Sequence, residues 1–258
     1  MNRLTAIILT HNEAANIQDC IASLRFTDHI LVFDSYSTDD TVALAQQAGA
    51  QVIQHPFENY ASQRNAALKA VTGTTEWVLF VDADERVTPE SAAEIAEKIR
   101  ESNYAGWRIP RHNYIFGKLT RGAGWYPDYQ TRLLRVGQAR YDPARHVHEL
   151  VILDGPEGTL NQPLIHYNYR DVAHFARKQR QYAAYDARIL FEQGIRPKPQ
   201  NYVLQPWRQF WWRLVTLKGY RDGLHGLWLS VLLAWYEFGK YLLLRRLWQQ
   251  RVSRGKTG

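Results

Sequence analysis

The sequence predicts an α/β fold, in which a mostly parallel β-sheet carries helices on both faces. Short apolar runs alternate with segments of about ten residues that have helical apolar spacing, and the alternation begins at residue 4. Parallel strands need such crossover helices, which then cover both faces of the sheet. The chain has 258 residues, of which 45% are hydrophobic, so it is long enough for one such core and an appendage.

The predicted elements follow one another regularly through the first third of the chain. After the first strand, apolar residues at helical spacing predict a helix carrying Ile17, Cys20 and Ile21. The predicted strands are Leu4–Thr10, His29–Phe33, Gln51–Gln54 and Trp77–Val81, and the later helices begin near Thr41 and cover Tyr60–Ala70. The Ser-Tyr-Ser-Thr-Asp-Asp turn offers several N-cap residues to the helix near Thr41.

Polar clusters stand where three of the predicted strands end. They are Thr10-His11-Asn12-Glu13, Asp34-Ser35 and Asp82-Ala83-Asp84. In an open parallel sheet the ligand binds beyond the carboxyl ends of the strands. We therefore expect these clusters, which are far apart in sequence, to line one crevice.

Asp82 and Asp84 are the most informative pair in the sequence. Their one-residue spacing at the end of a strand points both carboxylates to the same side. Hard oxygen ligands of this kind suit Mg²⁺ or Mn²⁺ that carries a diphosphate, rather than zinc. The alternative for an isolated pair is an acidic loop that caps the next helix.

The composition indicates in which cellular compartment the protein is found. The single cysteine, Cys20, excludes a disulfide framework and favours a reducing compartment. Residues 1–3 lead directly into the first strand without a signal-peptide pattern, so we expect a cytosolic protein. The net charge is +7, and basic and aromatic residues concentrate after Arg170. That composition is compatible with nucleic acid or with an anionic membrane surface.

The C-terminal region, residues 171–258, is predicted to be a separate helical domain. Its most apolar stretch, residues 224–244, is interrupted by His225, Glu237 and Lys240, and the uncharged core over 226–236 is shorter than the about 20 residues of a membrane span. An amphipathic helix lying in the membrane interface, flanked by arginines, is therefore predicted. The alternative is a helical cap over the catalytic sheet.

Three segments together resemble family-2 glycosyltransferases of the GT-A, Rossmann-like fold. They are Ala6–Glu13, Phe33–Thr41 and Phe80–Glu85. The resemblance implies a nucleotide-diphosphate-sugar donor bound by residues 1–170. It implies that Asp34 accepts a hydrogen bond from the base, that Asp82 lies at the ribose and that Asp84 holds the metal at the diphosphate. The remaining implied donor-binding residues are Thr10, Asn12, Glu13 and Arg64.

The middle segment between Tyr104 and His148 is rich in aromatic residues and arginines, which suit sugar rings and phosphates. Trp125, Asp128 and Arg132 are the predicted acceptor-binding residues. For any single aromatic residue here, the alternative is a place in the core of a β-rich subdomain.

The His148-Glu149 pair is predicted to carry the acid–base chemistry. An inverting transfer needs a general base for the acceptor hydroxyl. The pair resembles the branch that contains lipopolysaccharide-core β-1,4-glucosyltransferases, so Glu149 is predicted as the base and His148 as a residue that orients Glu149 or the substrate. The alternative is a pair that only locks a loop. His166, at the end of an apolar strand, resembles the late histidine that completes the metal shell in several GT-A enzymes.

These features predict an inverting glycosyltransferase that depends on Mn²⁺ or Mg²⁺. By resemblance it takes a hexose, most simply glucose from UDP-glucose, to lipopolysaccharide core or another lipid-linked glycan at the cytoplasmic face of the inner membrane, with no nucleic-acid partner. A polyprenyl-phosphate acceptor is one alternative. A sugar-nucleotide nucleotidyltransferase is a second, although Thr10-His11-Asn12-Glu13 lacks the glycine-rich basic loop of that class. A non-catalytic binding module is the third.

Overall fold

The structure, a computed structural model, describes residues 2–100, 103–142 and 150–254. The chain separates into two compact units. Unit 1 consists of Met1–His112 with Asp128–His166, and unit 2 consists of Asn113–Pro127 with Tyr167–Gly258. Segment 113–127 thus joins the C-terminal unit, whereas the sequence analysis counted it with the catalytic part. The division of functions at residue 170 stays a prediction.

The elements are numbered in chain order. The strands are β1 (Asn2–Thr10), β2 (His29–Asp34), β3 (Gln51–Gln54), β4 (Thr75–Asp82), β5 (Glu85–Arg86), β6 (Gly106–Ile115), β7 (Lys118–Leu119), β8 (Tyr129–Arg135), β9 (Ala139–Tyr141), β10 (Val151–Leu153), β11 (Glu157–Thr159) and β12 (Leu164–Tyr169). The helices are α1 (Ile17–Ser23), α2 (Thr41–Gln47), α3 (Tyr60–Ala70), α4 (Pro89–Lys98), α5 (Val172–Glu192), α6 (Asn201–Trp211) and α7 (Gly223–Arg254).

The main sheet is mixed. Its first four strands run parallel in the order β3-β2-β1-β4, with Ile7 opposite Leu31 on one side and Phe80 on the other. The path then continues through β8, β6, β12 and β5, and the β4–β8, β8–β6 and β12–β5 pairs whose register is described are antiparallel. The predicted strands and helices of the first third are all present, so the α/β class is confirmed.

Strand alternation distributes the core of unit 1 over both faces of the sheet. On β1, Leu4, Ala6 and Ile8 pack with buried residues of α1, α2 and α4, whereas Ile7 packs with buried residues of α3 on the other face. Burial of both faces explains why the parallel strands are continuous apolar runs. The predicted covering of both faces by helices is therefore confirmed.

Unit 2 is held together by helices. Phe175 of α5 packs with Leu229 and Leu233 of α7 in one apolar cluster, and Ala187, Tyr241 and Leu244 form a second. Asp171 caps α5 by accepting a hydrogen bond from the backbone N–H of His174 at 2.7 Å. The predicted helical character of this region is confirmed.

Helix α7 is longer than its interrupted apolar pattern indicates. It is continuous over 32 residues, and within the described residues the stretch 219–251 is long and apolar enough to cross a membrane by length and composition alone. The argument that this segment is too interrupted for a span is not supported by its length and composition, and the predicted position of α7 in the membrane interface stays a prediction. Glu237 and Lys240, which interrupt the apolar pattern, lie within α7 and pair at 2.8 Å. The same criterion also admits core helices of soluble proteins, so it does not by itself place α7 in a membrane.

Candidate active site

Asp34, at the end of β2, is fully buried and holds three segments together. Its carboxylate accepts hydrogen bonds from Thr10 Oγ1 at 2.9 Å, Ser37 N at 2.9 Å and Gln54 Nε2 at 3.2 Å, and also from Ser37 Oγ. Burial raises the pKa of Asp34, but these hydrogen bonds outweigh it and bring the pKa below its usual value. Thr10 and Asp34 thus join β1 to β2, and contact of Asp34 with a nucleotide base stays a prediction.

Asn12 and Glu13 tie the loop after β1 to the loop after β2. Asn12 adopts a left-handed backbone conformation with φ 58°, and its Oδ1 accepts from Thr38 N at 2.8 Å. The backbone N–H of Glu13 donates to Thr41 Oγ1 at 2.8 Å. The structure therefore brings Thr10, Asn12, Glu13 and Asp34 to one edge of the sheet, as the strand-end clusters predict, and their contact with a donor remains a prediction.

Asp82, the last residue of β4, is paired with two buried arginines. Arg132 Nη1 donates to Asp82 Oδ1 at 3.2 Å and Arg132 Nη2 donates to Oδ2, while Arg64 Nη2 donates to Oδ1 at 3.4 Å. Desolvation raises the pKa of Asp82, but the nearby Arg132 and Arg64 charges outweigh it and hold the pKa well below its usual range. Asp82 is therefore ionised and fixed in place.

Behind this pair lies a second set of charges. Glu85 is fully buried, pairs with Arg111 at 3.0 Å and lies 3.5 Å from Arg132 Nη2. Arg111 Nη2 in turn lies 2.7 Å from Asp128 Oδ2. Three arginines thus balance three carboxylates, namely Arg64, Arg111 and Arg132 against Asp82, Glu85 and Asp128. We call this set the arginine–carboxylate network.

Arg64 also lies against aromatic rings. Its guanidinium carbon is 4.9 Å from the centroid of Phe80 and 5.6 Å from that of Tyr141. The side chain is 8% exposed. The family resemblance implies that Arg64 lies near the donor, and in the structure Arg64 pairs with Asp82, one of the residues implied to bind that donor.

The side chains of Asp84 and His166 lie close to each other. Their Oδ2 and Nε2 atoms are 3.5 Å apart, because β12 pairs with β5 and sets His166 opposite Glu85. A carboxylate oxygen and an imidazole nitrogen fit Mn²⁺ or Mg²⁺, whose other positions a diphosphate and water can fill. Within the ranges that the structure describes, no group of three or more His, Cys, Asp or Glu residues is placed to hold a metal ion. The pair fits an ion that is shared with a bound diphosphate.

The predicted acceptor residues are divided between the two units. Asp128 and Arg132 belong to the arginine–carboxylate network of unit 1. Trp125 belongs to unit 2, where its ring packs edge-on against Tyr169 at 5.7 Å and its carbonyl accepts from Asn113 Nδ2 at 2.9 Å. Their roles toward an acceptor stay predictions. His148 and Glu149 lie outside the described residues.

Glu85 and Arg111 were given no role in the sequence analysis. Glu85 directly follows the Asp82-Ala83-Asp84 segment, and its acidic character at a strand end was visible. Its complete burial was not, because that burial accompanies pairing of β5 with the distant β12. Arg111 was visible only as one of several arginines in the middle segment.

Comparisons with known proteins identify the class. Residues 5–145 match the model of glycosyl transferase family 2. The lipopolysaccharide core biosynthesis glycosyltransferase LpsC of Rhizobium meliloti is 31% identical over 215 residues, which are 79% of this chain and 77% of that protein. An uncharacterized glycosyltransferase of Rickettsia felis is 30% identical over 227 residues, 82% of this chain and 77% of that protein.

The chain therefore belongs to glycosyl transferase family 2, and it is a glycosyltransferase. Its mixed sheet, with the Asp-x-Asp segment at the end of β4, agrees with the GT-A fold that the resemblance implies. A crystal structure of S. aureus TarS 1-349 covers 98% of this chain and 92% of its own, with 16% identity and a TM-score of 0.47. A score at that level carries no inference about chemistry.

Proposed function

We propose that this protein is an inverting, metal-dependent hexosyltransferase that uses a nucleotide-diphosphate sugar, with UDP-glucose as the first candidate donor. The observation that carries the proposal is the Asp84–His166 pair beside the arginine-bound Asp82 at the end of β4. In a family-2 glycosyltransferase, this arrangement suits a diphosphate bridged by a divalent ion.

In this proposal, separate residues bind the metal ion, bind the donor and act on the acceptor. Asp84 and His166 hold the ion, which when bound offsets the negative charge of the departing diphosphate. Asp82 faces the ribose, with Thr10, Asn12, Glu13, Asp34 and Arg64 as the further donor-binding residues. Glu149 takes the proton of the acceptor hydroxyl while its oxygen attacks the anomeric carbon and the bond from that carbon to the diphosphate breaks. His148 orients Glu149.

The acceptor is proposed to be a sugar of lipopolysaccharide core or another lipid-linked glycan. Support comes from the relative named as a lipopolysaccharide core biosynthesis glycosyltransferase. Trp125 and Asp128 remain proposed contacts to this acceptor. Family membership removes the nucleotidyltransferase and the non-catalytic module as alternatives. A polyprenyl-phosphate acceptor remains, and it differs because its nucleophile is a phosphate oxygen rather than a sugar hydroxyl.

A donor and acceptor screen tests the proposal. The purified chain is incubated with Mn²⁺ and each of UDP-glucose, UDP-galactose, UDP-N-acetylglucosamine and GDP-mannose, in the presence of truncated lipopolysaccharide or of polyprenyl phosphate. Sugar transfer to lipopolysaccharide that stops in excess EDTA supports the proposal. Transfer to polyprenyl phosphate alone favours the alternative, and transfer that is unaffected by EDTA contradicts metal dependence.

We also propose that unit 2 binds the cytoplasmic face of the inner membrane as a peripheral surface element. None of the residues of α6 is buried, and Val203, Leu204, Trp207 and Trp211 are all exposed along it. On α7, Leu224, Trp228, Val231 and Trp235 recur at helical spacing and are also exposed.

The charge and residue types exposed on α6 and α7 indicate what kind of partner they bind. The exposed basic residues Arg208, Lys218 and Arg221 lie between the first and the last of the exposed tryptophans in the sequence. Tryptophan settles at the headgroup level of a bilayer, and arginine and lysine attract anionic lipid. An anionic lipid leaflet therefore fits this surface, and contact with it would bring the enzyme to a lipid-linked acceptor.

A further inference from the structure

Arg132 is almost completely enclosed. Its side chain is 6% exposed, and its guanidinium lies between the carboxylates of Asp82 and Glu85. Both oxygens of Asp82 accept from it, which is the paired geometry that suits a planar guanidinium and a carboxylate. A side chain held in this way has little surface left with which to contact a sugar acceptor.

The residues behind Arg132 fix it in this position. Glu85 Oε1 lies 3.5 Å from Arg132 Nη2, and Glu85 Oε2 accepts from the backbone N–H of Asp82 at 2.9 Å. Arg111 forms an ion pair with Glu85 and a second ion pair with Asp128. Burial lowers the pKa of Arg132, but the Asp82 and Glu85 charges outweigh it and raise that pKa above its usual value, so Arg132 stays charged.

The neighbourhood of Asp82 explains why a counter-ion is needed there. Asp82, Asp84 and Glu85 lie within four consecutive residues, and like charges at such spacing repel one another. Without Arg132, the Asp82 carboxylate would lose the partner that engages both of its oxygens and would keep only Arg64 at Oδ1, which leaves Oδ2 able to turn toward a metal ion at Asp84. With Arg132 in place, Asp82 keeps one orientation, and Asp84 remains the carboxylate that is available to the ion.

We infer that Arg132 is a positioning residue of the donor site, which acts by orienting the Asp82 carboxylate toward the nucleoside, and that it does not contact the acceptor. The inference rests on the proposed function in one respect, since Asp82 must face the nucleotide. It moves Arg132 from the acceptor side, where the sequence analysis placed it, to the donor side.

The test compares Arg132→Met with Arg132→Lys and with the control Arg135→Met. Arg135 is also on β8 and pairs with a carboxylate, Glu76, at 3.1 Å, but it lies outside the network. The probes are UDP and GDP in Mn²⁺, titrated by calorimetry, together with separate KM values for the donor and the acceptor.

For Arg132→Met we expect the Kd of the bound nucleotide and the donor KM to rise about 10- to 100-fold, which is the range for loss of a charge-assisted pair. The acceptor KM should stay within about twofold of wild type. Arg132→Lys should give a nucleotide Kd and a donor KM between those of wild type and of Arg132→Met, because lysine keeps the charge but not the paired geometry. Arg135→Met should match wild type.

Arg132→Met leaves an unbalanced carboxylate and can fail to fold. The variant Arg132→Met/Glu85→Gln restores the charge balance of the network, and the single glutamine oxygen can accept from either Asp82 N or Arg111 Nη1, each of which donates to its own oxygen of Glu85 in the wild type. It should fold, with Glu85→Gln alone as its reference, and should show the same loss of nucleotide affinity. An acceptor KM that rises while nucleotide affinity is unchanged would overturn the inference, and so would unchanged values for both. A wild-type protein that binds neither UDP nor GDP would overturn the proposed function and the inference with it.

Discussion

The two units of this chain use their charged and apolar residues in opposite ways. Unit 1 buries its aliphatic residues on both faces of a sheet and pairs its charges at the end of β4. Unit 2 buries a smaller set of rings and leucines between α5 and α7 and exposes tryptophans along α6 and α7, with Trp207 at 60% and Trp235 at 66% exposure. This difference is the basis of our proposal that unit 1 carries the chemistry and that unit 2 attaches the enzyme to a membrane surface.

The two units also differ in how far their polar and aromatic side chains are already fixed in place before a ligand binds. In unit 1, Asp34, Asp82 and Glu85 already have their hydrogen-bond partners, so little rearrangement is needed when a charged ligand enters. In unit 2 the exposed Trp207 lies against Phe210 and Trp211, and Trp235 lies against Phe238, and these rings still present apolar surface to solvent. Exposed apolar surface of this kind marks an interaction site. The predictions below separate the two roles.

The largest effect is expected at the metal site of unit 1. Asp84→Asn removes the charged ligand of the proposed ion, and we expect kcat/KM to fall about 10³-fold or more, with loss of the Mn²⁺ dependence of donor binding. Steady-state kinetics and calorimetry with and without Mn²⁺ measure this. Asp154→Asn, at an exposed ion pair with Arg140, is the control and should behave as wild type. Full activity of Asp84→Asn would remove Asp84 from the metal site.

A somewhat smaller effect is expected at the proposed base. Glu149→Gln should lower turnover about 10²- to 10⁴-fold while the donor Kd stays near wild type, because general-base catalysis contributes roughly that factor. Glu157→Gln, an exposed residue near the end of unit 1, is the control. A Glu149→Gln variant that loses donor binding but keeps turnover at saturation would assign Glu149 to the donor instead.

The smallest effect concerns unit 2 and should leave unit 1 untouched. Replacement of Trp207 and Trp211 by Ser should lower binding to vesicles of anionic lipid roughly 10-fold, because two large apolar side chains no longer insert. Co-sedimentation at low and high salt measures this, and high salt should also weaken wild-type binding. Turnover with a water-soluble oligosaccharide acceptor should be unchanged.

The matched control replaces Tyr182 and Tyr185, which are exposed on α5, by Ser. Substitution is preferable to truncation here, because Leu229 and Leu233 of α7 pack with Phe175, so removal of α7 would expose that cluster. If the tryptophan variant binds vesicles as well as wild type, or if wild type ignores them at low salt, then the membrane role of unit 2 is wrong.

The sequence predicted the features that depend on neighbouring residues, and it missed most of those that depend on pairing between distant strands. Strands β1 to β4 and their helices were predictable because the apolar period and the N-cap residues are local signals, and Asp82 and Asp84 stand at the end of β4. The proximity of His166 to Asp84 depends on pairing of β12 with β5 and came from the resemblance to a family. The pairing of Arg132 with Asp82 depends on how β8 joins β4, which no local pattern shows. The pairing of Glu237 with Lys240 within α7 likewise follows from the structure, whereas the sequence shows the two residues only as charges in an apolar run.

The central claim is that the Asp84–His166 end of unit 1 binds a nucleotide-diphosphate sugar through a divalent ion. It is tested most directly by the shift in melting temperature of the full chain with UDP-glucose, UDP-galactose, UDP-N-acetylglucosamine or GDP-mannose, in Mn²⁺ and in EDTA. A donor that binds only the folded state raises the melting temperature. We expect at least one donor to raise the melting temperature in Mn²⁺, and we expect that rise to be lost in EDTA and in Asp84→Asn. Equal stabilisation with and without Mn²⁺, or an Asp84→Asn variant that responds like wild type, would contradict it.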